Sequence, residues 1–189
     1  MQTIRETWLI FRRSLVLTLR QPVWLLMGII EPSAGRVTID VGGIAKPPSA
    51  LVGRVAYLPQ QPYFEELQTV YDAIHFVAPD AADEDIVSLV SRLFDERYVG
   101  SVSGLLEKTV MSLSMGERRI IALARVLLRK SALVILDEPE ANLDPQLRQS
   151  VMSVLREAKL QSRMLLVTHD DAIASIADRI YRMPEKRTG

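Results

Sequence analysis

The sequence predicts an α/β fold built on a parallel sheet. Two apolar runs, ALVIL at 132–136 and RMLLVT at 163–168, are too short for helices and fit strands that are buried on both faces of such a sheet. Stretches with helical spacing of apolar residues precede and separate these runs. Hydrophobic residues make up 48% of the chain and aromatic residues only 6%, which fits an aliphatic α/β core.

Composition limits the classes of function. The chain has 189 residues, enough for one domain with a real core. Its formal net charge is zero, so nothing in the overall charge favours a polyanion, and we expect no nucleic-acid partner. It has no cysteine, which excludes disulfides and thiolate metal sites.

The stretch 113–144 organises the rest of the chain. It begins with Ser114 and Glu117, which are spaced as a capping box at the start of a helix. Apolar residues then recur at helical spacing. They are Ile120, Ile121, Ala124, Leu127 and Leu128.

Two carboxylates follow the apolar run at 132–136. Ligands of parallel sheets bind at the carboxyl ends of the strands, so Asp137 and Glu138 are placed to hold a cation and to act on water. Further along, Asp144 and Pro145 form the pair expected at an N-cap and the first position of another helix.

Together these residues resemble the ATP-binding cassette (ABC) ATPases. The signature motif of that family is matched by Leu113, Ser114, Met115, Gly116 and Glu117. The stretch 133–138 resembles the Walker B strand with its catalytic glutamate, and 141–144 resembles the D-loop. The resemblance runs from about residue 32 to about residue 183. It implies a domain over 32–189 that includes a helical subdomain at 67–112.

The resemblance also implies ATP and Mg²⁺ as cofactors. Asp137 and Gln60 would hold the metal, with Gln61 as the alternative to Gln60. Glu138 would act as the general base, and Gln60 and His169 would position water and phosphate. His169 is a functional candidate on its own, because it follows the predicted strand at 163–168.

The same resemblance implies partners. The signature residues Ser114, Met115, Gly116 and Glu117 would complete the nucleotide site of a second ABC ATPase. Asp144 would couple the two sites across that dimer. A transmembrane permease subunit would be the other partner, which places the chain at the cytoplasmic face of the membrane. The second histidine, His75, lies inside a predicted helix and is expected to be a packed or surface residue.

Residues 1–31 form a separate block, for which we predict an amphipathic helix. Arginines lie beside Trp8, Phe11 and Trp24. The two apolar runs of this block, at 15–19 and 23–30, are each shorter than the roughly 20 residues of a spanning helix. The helix would lie either at a membrane surface or with its apolar face against the domain. Residues 7–30 resemble the cytoplasmic start of an ABC-type permease.

The sequence contains no Gly-rich phosphate loop with Lys and Ser or Thr, which is the Walker A motif of P-loop ATPases. By family spacing from the turn at 28–32, the Lys position falls at Leu19 and its Ser neighbour at Arg20. We therefore expect an incomplete P-loop NTPase fold. Each lost charge-assisted hydrogen bond removes roughly 1.5–3 kcal/mol, so the chain's own site should bind nucleotide weakly.

Four interpretations of function follow. The first is an ATP-binding component of an ABC transporter, and the second is a non-catalytic subunit that lends its signature motif to an intact ATPase. The third is an inert rearranged fragment whose sheet lacks its first strand, which would leave a central edge exposed. A soluble ABC protein of DNA repair or translation is less favoured, because the chain has no basic patch.

Overall fold

The computed structural model describes residues 14–17, 39–41, 44–47, 49, 53–94 and 101–181. The strands are β1 (Ser14–Leu17), β2 (Ile39–Val41), β3 (Ile44–Lys46), β4 (Val55–Leu58), β5 (Leu133–Asp137), β6 (Arg163–Val167) and β7 (Arg179–Ile180). The helices are α1 (Val70–Val77), α2 (Asp83–Phe94), α3 (Val102–Leu106), α4 (Met115–Leu128), α5 (Pro145–Gln161) and α6 (Asp171–Ala174), with a 3₁₀ turn at Val110–Ser112.

The described residues form a five-stranded sheet in the order β4-β5-β6-β1-β7, and its paired strands run parallel. The predicted α/β fold with a parallel sheet is therefore confirmed. All five residues of β5 are buried, as expected for a continuous apolar strand that is covered on both faces. In a separate two-stranded sheet, β2 pairs antiparallel with β3.

Helix α4 connects the sheet to a helical layer. It packs against β4 on one side and against α1 and α2 on the other. Ile120, Ile121 and Leu123 are fully buried between them. Helices α1, α2 and α3 all lie within the predicted helical region at 67–112. Buried residues of this region and of the sheet belong to one continuous hydrophobic core.

The first strand corrects the expected N-terminal helix. Residues Ser14–Leu17 form a strand that pairs in parallel with β6 on one side and β7 on the other. The rearranged-fragment interpretation expected the sheet to lack its first strand. The described sheet instead has a strand at this place. A strand is favoured here because both neighbours would otherwise present unpaired backbone groups. The rest of the predicted helix lies outside the described residues.

The predicted boundary between residues 31 and 32 also lies outside the described residues, and it stays a prediction. Strand β1 comes from the N-terminal side of that boundary, yet it joins the sheet formed by strands from the other side. Among the described helices, none is both long and apolar enough to cross a membrane.

The central position of β1 predicts slow hydrogen exchange. Its amides should be protected to the same degree as those of β6, because both strands pair on two sides. The β2–β3 pair is the internal control, since an isolated two-stranded sheet is marginally stable and should exchange faster. Mass-spectrometric exchange of peptides covering these strands measures both rates. Exchange of 14–17 at the rate of the β2–β3 pair would contradict the strand assignment.

Candidate functional site

The candidate site lies where β4, β5 and β6 end. These strands are neighbours in the sheet and parallel, so their carboxyl ends share one edge. Gln60 comes two residues after β4, Asp137 ends β5, and His169 comes two residues after β6. The structure therefore brings together the four residues that the sequence predicted for the catalytic and metal sites, with Glu138 at their centre.

Each carboxylate oxygen of Glu138 contacts one of the other predicted site residues. The side-chain amide of Gln60 donates to Oε2 over 2.8 Å. On the other side, Nδ1 of His169 lies 3.4 Å from Oε1. The His169 side chain is 75% exposed, whereas that of Glu138 is only 20% exposed. This arrangement holds a carboxylate between an amide and an imidazole that faces solvent.

The backbone of Glu138 is unusual for a non-glycine residue, with φ at +49°. Such a conformation is costly, by about 1–3 kcal/mol, and persists only where the surroundings enforce it. Here the Glu138 N–H donates to the carbonyl of Val167 on β6 over 2.7 Å. The position of the carboxylate is therefore fixed by the sheet as well as by its side-chain partners.

Asp137 is 6% exposed and has a partner that sequence reasoning missed. The Tyr57 hydroxyl donates to its Oδ2 over 3.3 Å. Burial raises the pKa of Tyr57 to about 12, and the charge of Asp137 and this hydrogen bond act in the same direction. Tyr57 lies in β4, 80 residues before its partner, so no local pattern could have revealed the contact.

The residue types present fit Mg²⁺, which prefers oxygen ligands and binds through one or two carboxylates plus phosphates and water. Asp137 offers a carboxylate that the Tyr57 hydroxyl orients. Gln60 donates its amide nitrogen to Glu138, and its side-chain carbonyl oxygen is of the ligand type that Mg²⁺ prefers. Across the described residues, no cluster of three or more His, Cys, Asp or Glu could hold a metal by itself.

A second buried carboxyl group lies beside the site. Glu140 accepts a hydrogen bond from the Thr168 hydroxyl, which in turn accepts from the Asp170 N–H over 3.0 Å. These contacts hold the two residues that flank His169. Burial raises the pKa of Glu140, opposed by its hydrogen bond from Thr168. Sequence reasoning missed Glu140, because its spacing from Asp137 and Glu138 matched no motif.

The predicted signature residues start helix α4, as the capping pattern indicated. The Ser114 hydroxyl accepts from the Glu117 N–H over 3.2 Å, and the Ser114 N–H donates to the Glu117 carboxylate over 2.7 Å. Both halves of the predicted capping box are therefore present. Met115, which lies between them, is 66% exposed.

A close backbone contact within this chain requires glycine at position 116. A Cβ added to it would lie 2.7 Å from the carbonyl oxygen of Asn142, a backbone atom that cannot easily withdraw. Asn142 itself has φ at +62° in the predicted D-loop. The signature motif and the D-loop of one chain therefore touch through this glycine. The sequence predicted both segments but not the contact between them.

Asp144 is the N-cap of α5, as the sequence predicted. Its Oδ1 accepts from the N–H groups of Gln146 and Leu147, over 2.9 and 3.0 Å. Pro145 occupies the first position of that helix. The predicted coupling role of Asp144 across a dimer stays a prediction.

A groove of about 660 Å³ joins the two groups of predicted site residues. Gln60 and Glu138 line it from the strand ends, while Met115 lines it from the start of α4 and Asn142 from the D-loop. The strand ends and the signature motif are therefore neighbours on one surface.

Comparison with known proteins identifies the kind of chain. The family model described as ABC transporter matches residues 23–141, more than half of the chain. The lipoprotein-releasing system ATP-binding protein LolD of Saccharophagus degradans is 30% identical over 172 residues, which cover 84% of this chain and 72% of the relative. The glutathione/L-cysteine transport system ATP-binding/permease protein CydD of Bacillus subtilis is 29% identical, over 87% of this chain but 29% of its own length.

Solved structures agree on the fold. The ATP-binding subunit of an ABC transporter superposes with a TM-score of 0.72 at 21% identity, over 93% of this chain and 77% of that one. A bacterial Atm1-family ABC exporter with ATP bound gives a TM-score of 0.76 at 16% identity, over 91% of this chain and 32% of that one. This chain therefore spans less than a third of the exporter and of the Bacillus relative.

The contact at Gly116 predicts that Gly116→Ala destabilises the chain by about 1–3 kcal/mol, because the new methyl group is forced against the Asn142 carbonyl. Gly104→Ala is the matched control. Its Cβ would meet the nearest atom at 3.8 Å, so alanine should be neutral or stabilise by up to about 1 kcal/mol. Urea unfolding of both variants measures the difference. Equal stability of the two variants would contradict the close approach.

The environment of Tyr57 predicts its titration. A pKa of about 12, above the ordinary value of 10.0, means that the folded state favours the neutral phenol. Its contribution to stability should be complete below about pH 10 and should be lost as the pH rises toward 12. Tyrosinate absorbance of the chain's five tyrosines records this directly. In Tyr57→Phe the transition at about pH 12 should disappear, and its persistence would contradict the contact with Asp137.

Proposed function

Because this chain belongs to the ABC transporter family, we propose that it is the ATP-binding component of an ABC transporter and couples ATP binding and hydrolysis to membrane transport. One observation carries the proposal. Glu138 lies between Gln60 and His169 at the carboxyl ends of parallel strands, beside the buried carboxylate of Asp137. A carboxylate, an amide and an imidazole in this arrangement suit an in-line attack of water on a phosphate.

The proposed roles follow from the contacts. Glu138 accepts the proton of the attacking water, since its carboxylate is ionisable, only 20% exposed and held through both oxygens. Gln60 orients that water, and the exposed ring of His169 faces the phosphate. Asp137 and the carbonyl oxygen of Gln60 would hold Mg²⁺, which would neutralise charge on the phosphates.

We further propose that the chain's own nucleotide site is weak. The sequence offers no Lys or Ser at the counted positions of the phosphate loop, where Leu19 and Arg20 stand. Backbone amides and one lysine charge would then be missing from the triphosphate, and the loss of several charge-assisted hydrogen bonds would remove most of the affinity.

A second candidate function rests on the start of α4. Ser114 is exposed at the N-terminus of a 14-residue helix, where an anion is favoured by the unpaired N–H groups and the helix dipole. As a non-catalytic subunit, the chain would present Ser114 and Gly116 to ATP bound by an intact partner. Met115 and Glu117 would complete that surface, and Asp144 would couple the two sites.

The proposed partners are a transmembrane permease subunit and a second ABC ATPase, at the cytoplasmic face of the membrane. Two relatives support this. The Bacillus relative is named as an ATP-binding/permease protein, and the Saccharophagus relative as the ATP-binding protein of a releasing system. We propose that 32–189 form the ATPase domain with 67–112 as its helical subdomain, that β1 from the N-terminal segment completes its sheet, and that the rest of 1–31 is permease-like.

The weak site predicts that the purified chain alone shows no measurable ATP hydrolysis and no saturable binding of ATP–Mg²⁺ in calorimetric titration. Phosphate release by the chain and by Glu138→Gln should both equal the background. Hydrolysis that is present in the chain and vanishes in Glu138→Gln would overturn this prediction and show a complete site.

The partner role predicts a gain in a mixture. Adding the chain to a complete ABC ATPase should raise the turnover of that ATPase, and Ser114→Arg should abolish the gain by blocking the helix start. Ser103→Arg, an exposed change elsewhere, is the control and should keep the gain. A lack of stimulation, or stimulation that survives Ser114→Arg, would argue against this function. A broad, non-cooperative thermal transition would favour the inert-fragment interpretation.

A further inference from the structure

We propose that Arg119 is a positioning residue that ties the signature helix α4 to the ends of β4 and β5, so that the start of α4 and the strand-end residues move as one unit. The importance of this connection rests on the proposed function, but all the contacts that form it lie within this chain.

Arg119 is 2% exposed, although it carries a guanidinium group. Its Nη1 donates to the carbonyls of Pro59 and Gln60, over 2.6 and 2.7 Å. Its Nη2 donates to the carbonyls of Asp137 and Glu138, the latter over 2.6 Å. One side chain therefore bridges the segment after β4 and the segment at the end of β5.

Each acceptor is a backbone oxygen at or beyond the end of a strand. Buried carbonyls without a partner are costly, so a donor is required at this point. Four carbonyl oxygens converge here, and their partial negative charges favour a cation. The planar fork of arginine can reach both segments at once, whereas the single ammonium group of lysine cannot.

A second arginine on the same helix extends the connection. Arg125 donates to the carbonyl of Tyr63 over 3.0 Å, and its guanidinium lies 4.7 Å from the centre of the Phe64 ring. The segment 59–64 is therefore attached to α4 at both of its ends. Arg119 alone adds the attachment to β5.

The location of Arg119 on α4 gives this attachment its consequence. It follows the N-cap Ser114 by five residues, so the first turn of the helix leads directly to it. Loosening that turn would release the guanidinium from the carbonyls of Gln60 and Glu138. Conversely, a shift of either strand end would pull on the start of α4.

Hydrogen exchange of the full chain, without nucleotide, tests this coupling. Ser114→Ala removes the N-cap and should raise exchange in the first turn of α4 by about fivefold. If Arg119 transmits the change, exchange at 60–64 and at 137–138 should rise by a similar factor. The same Ser114→Ala change is then made in the background of Arg119→Met.

In Arg119→Met, exchange at both strand ends should start higher, and adding Ser114→Ala should leave it unchanged. Arg129→Met is the matched control, because it removes the same charge from an exposed position at the other end of α4. Transmission should persist in that control. A merely structural role of Arg119 would raise exchange but leave the transmission intact, and that result would overturn the proposal.

Arg119→Lys covers the case in which the methionine variant does not fold. It keeps the charge, yet it should lose transmission to at least one of the two strand ends. Full transmission in Arg119→Lys would overturn the proposal. Because no nucleotide or partner is present, these outcomes are independent of the turnover measurements. Failure of the proposed function and failure of this coupling are therefore separate results.

Discussion

The burial of β5 is the constraint on which the site depends. Each of its five residues is buried, and the strand pairs in parallel with β4 on one side and β6 on the other. The pairing register sets Leu136 level with Leu58 and with Leu166. The three strands therefore end at nearly the same height, and the polar residues that follow them converge. The hydrophobic core that fixes the strands also fixes Glu138 between Gln60 and His169.

Helix α4 serves several requirements with one sequence. Its apolar face fills the space between the sheet and the helical layer, and its first residues form a complete capping box. Gly116 admits the D-loop backbone, and Arg119 satisfies four carbonyls at the strand ends. A substitution near the start of α4 therefore affects more than one of these contacts.

Local patterns predicted the elements well. The strand predicted at 163–168 is observed as Arg163–Val167, and the capping residues Ser114 and Asp144 act at the helix starts where their spacing placed them. The strand ends could also be predicted to meet, because parallel strands share an edge. The resemblance to ABC ATPases supplied roles for these residues, whereas the residues alone supplied only a carboxylate pair and a histidine at strand ends.

The missed residues act through distant partners. Tyr57 meets Asp137 across 80 residues, and Arg119 reaches carbonyls 60 and 18 residues away. An arginine among helical polar positions looks solvated in sequence, because its burial depends on acceptors contributed by other elements. Strand β1 was missed for a similar reason. The segment SLVL fits an amphipathic helix by composition, and only the two flanking strands determine that it is extended.

At Asp144, the requirement of folding can be told apart from a requirement for contact with another molecule. Its carboxylate accepts two amides of α5, and asparagine or serine would cap a helix about as well. Folding therefore asks for a short oxygen-bearing side chain at this position but does not ask for a negative charge. Among natural variants of the chain, free exchange between these three residue types would mark a position shaped by folding alone. Strict retention of aspartate would indicate that its charge contacts another molecule.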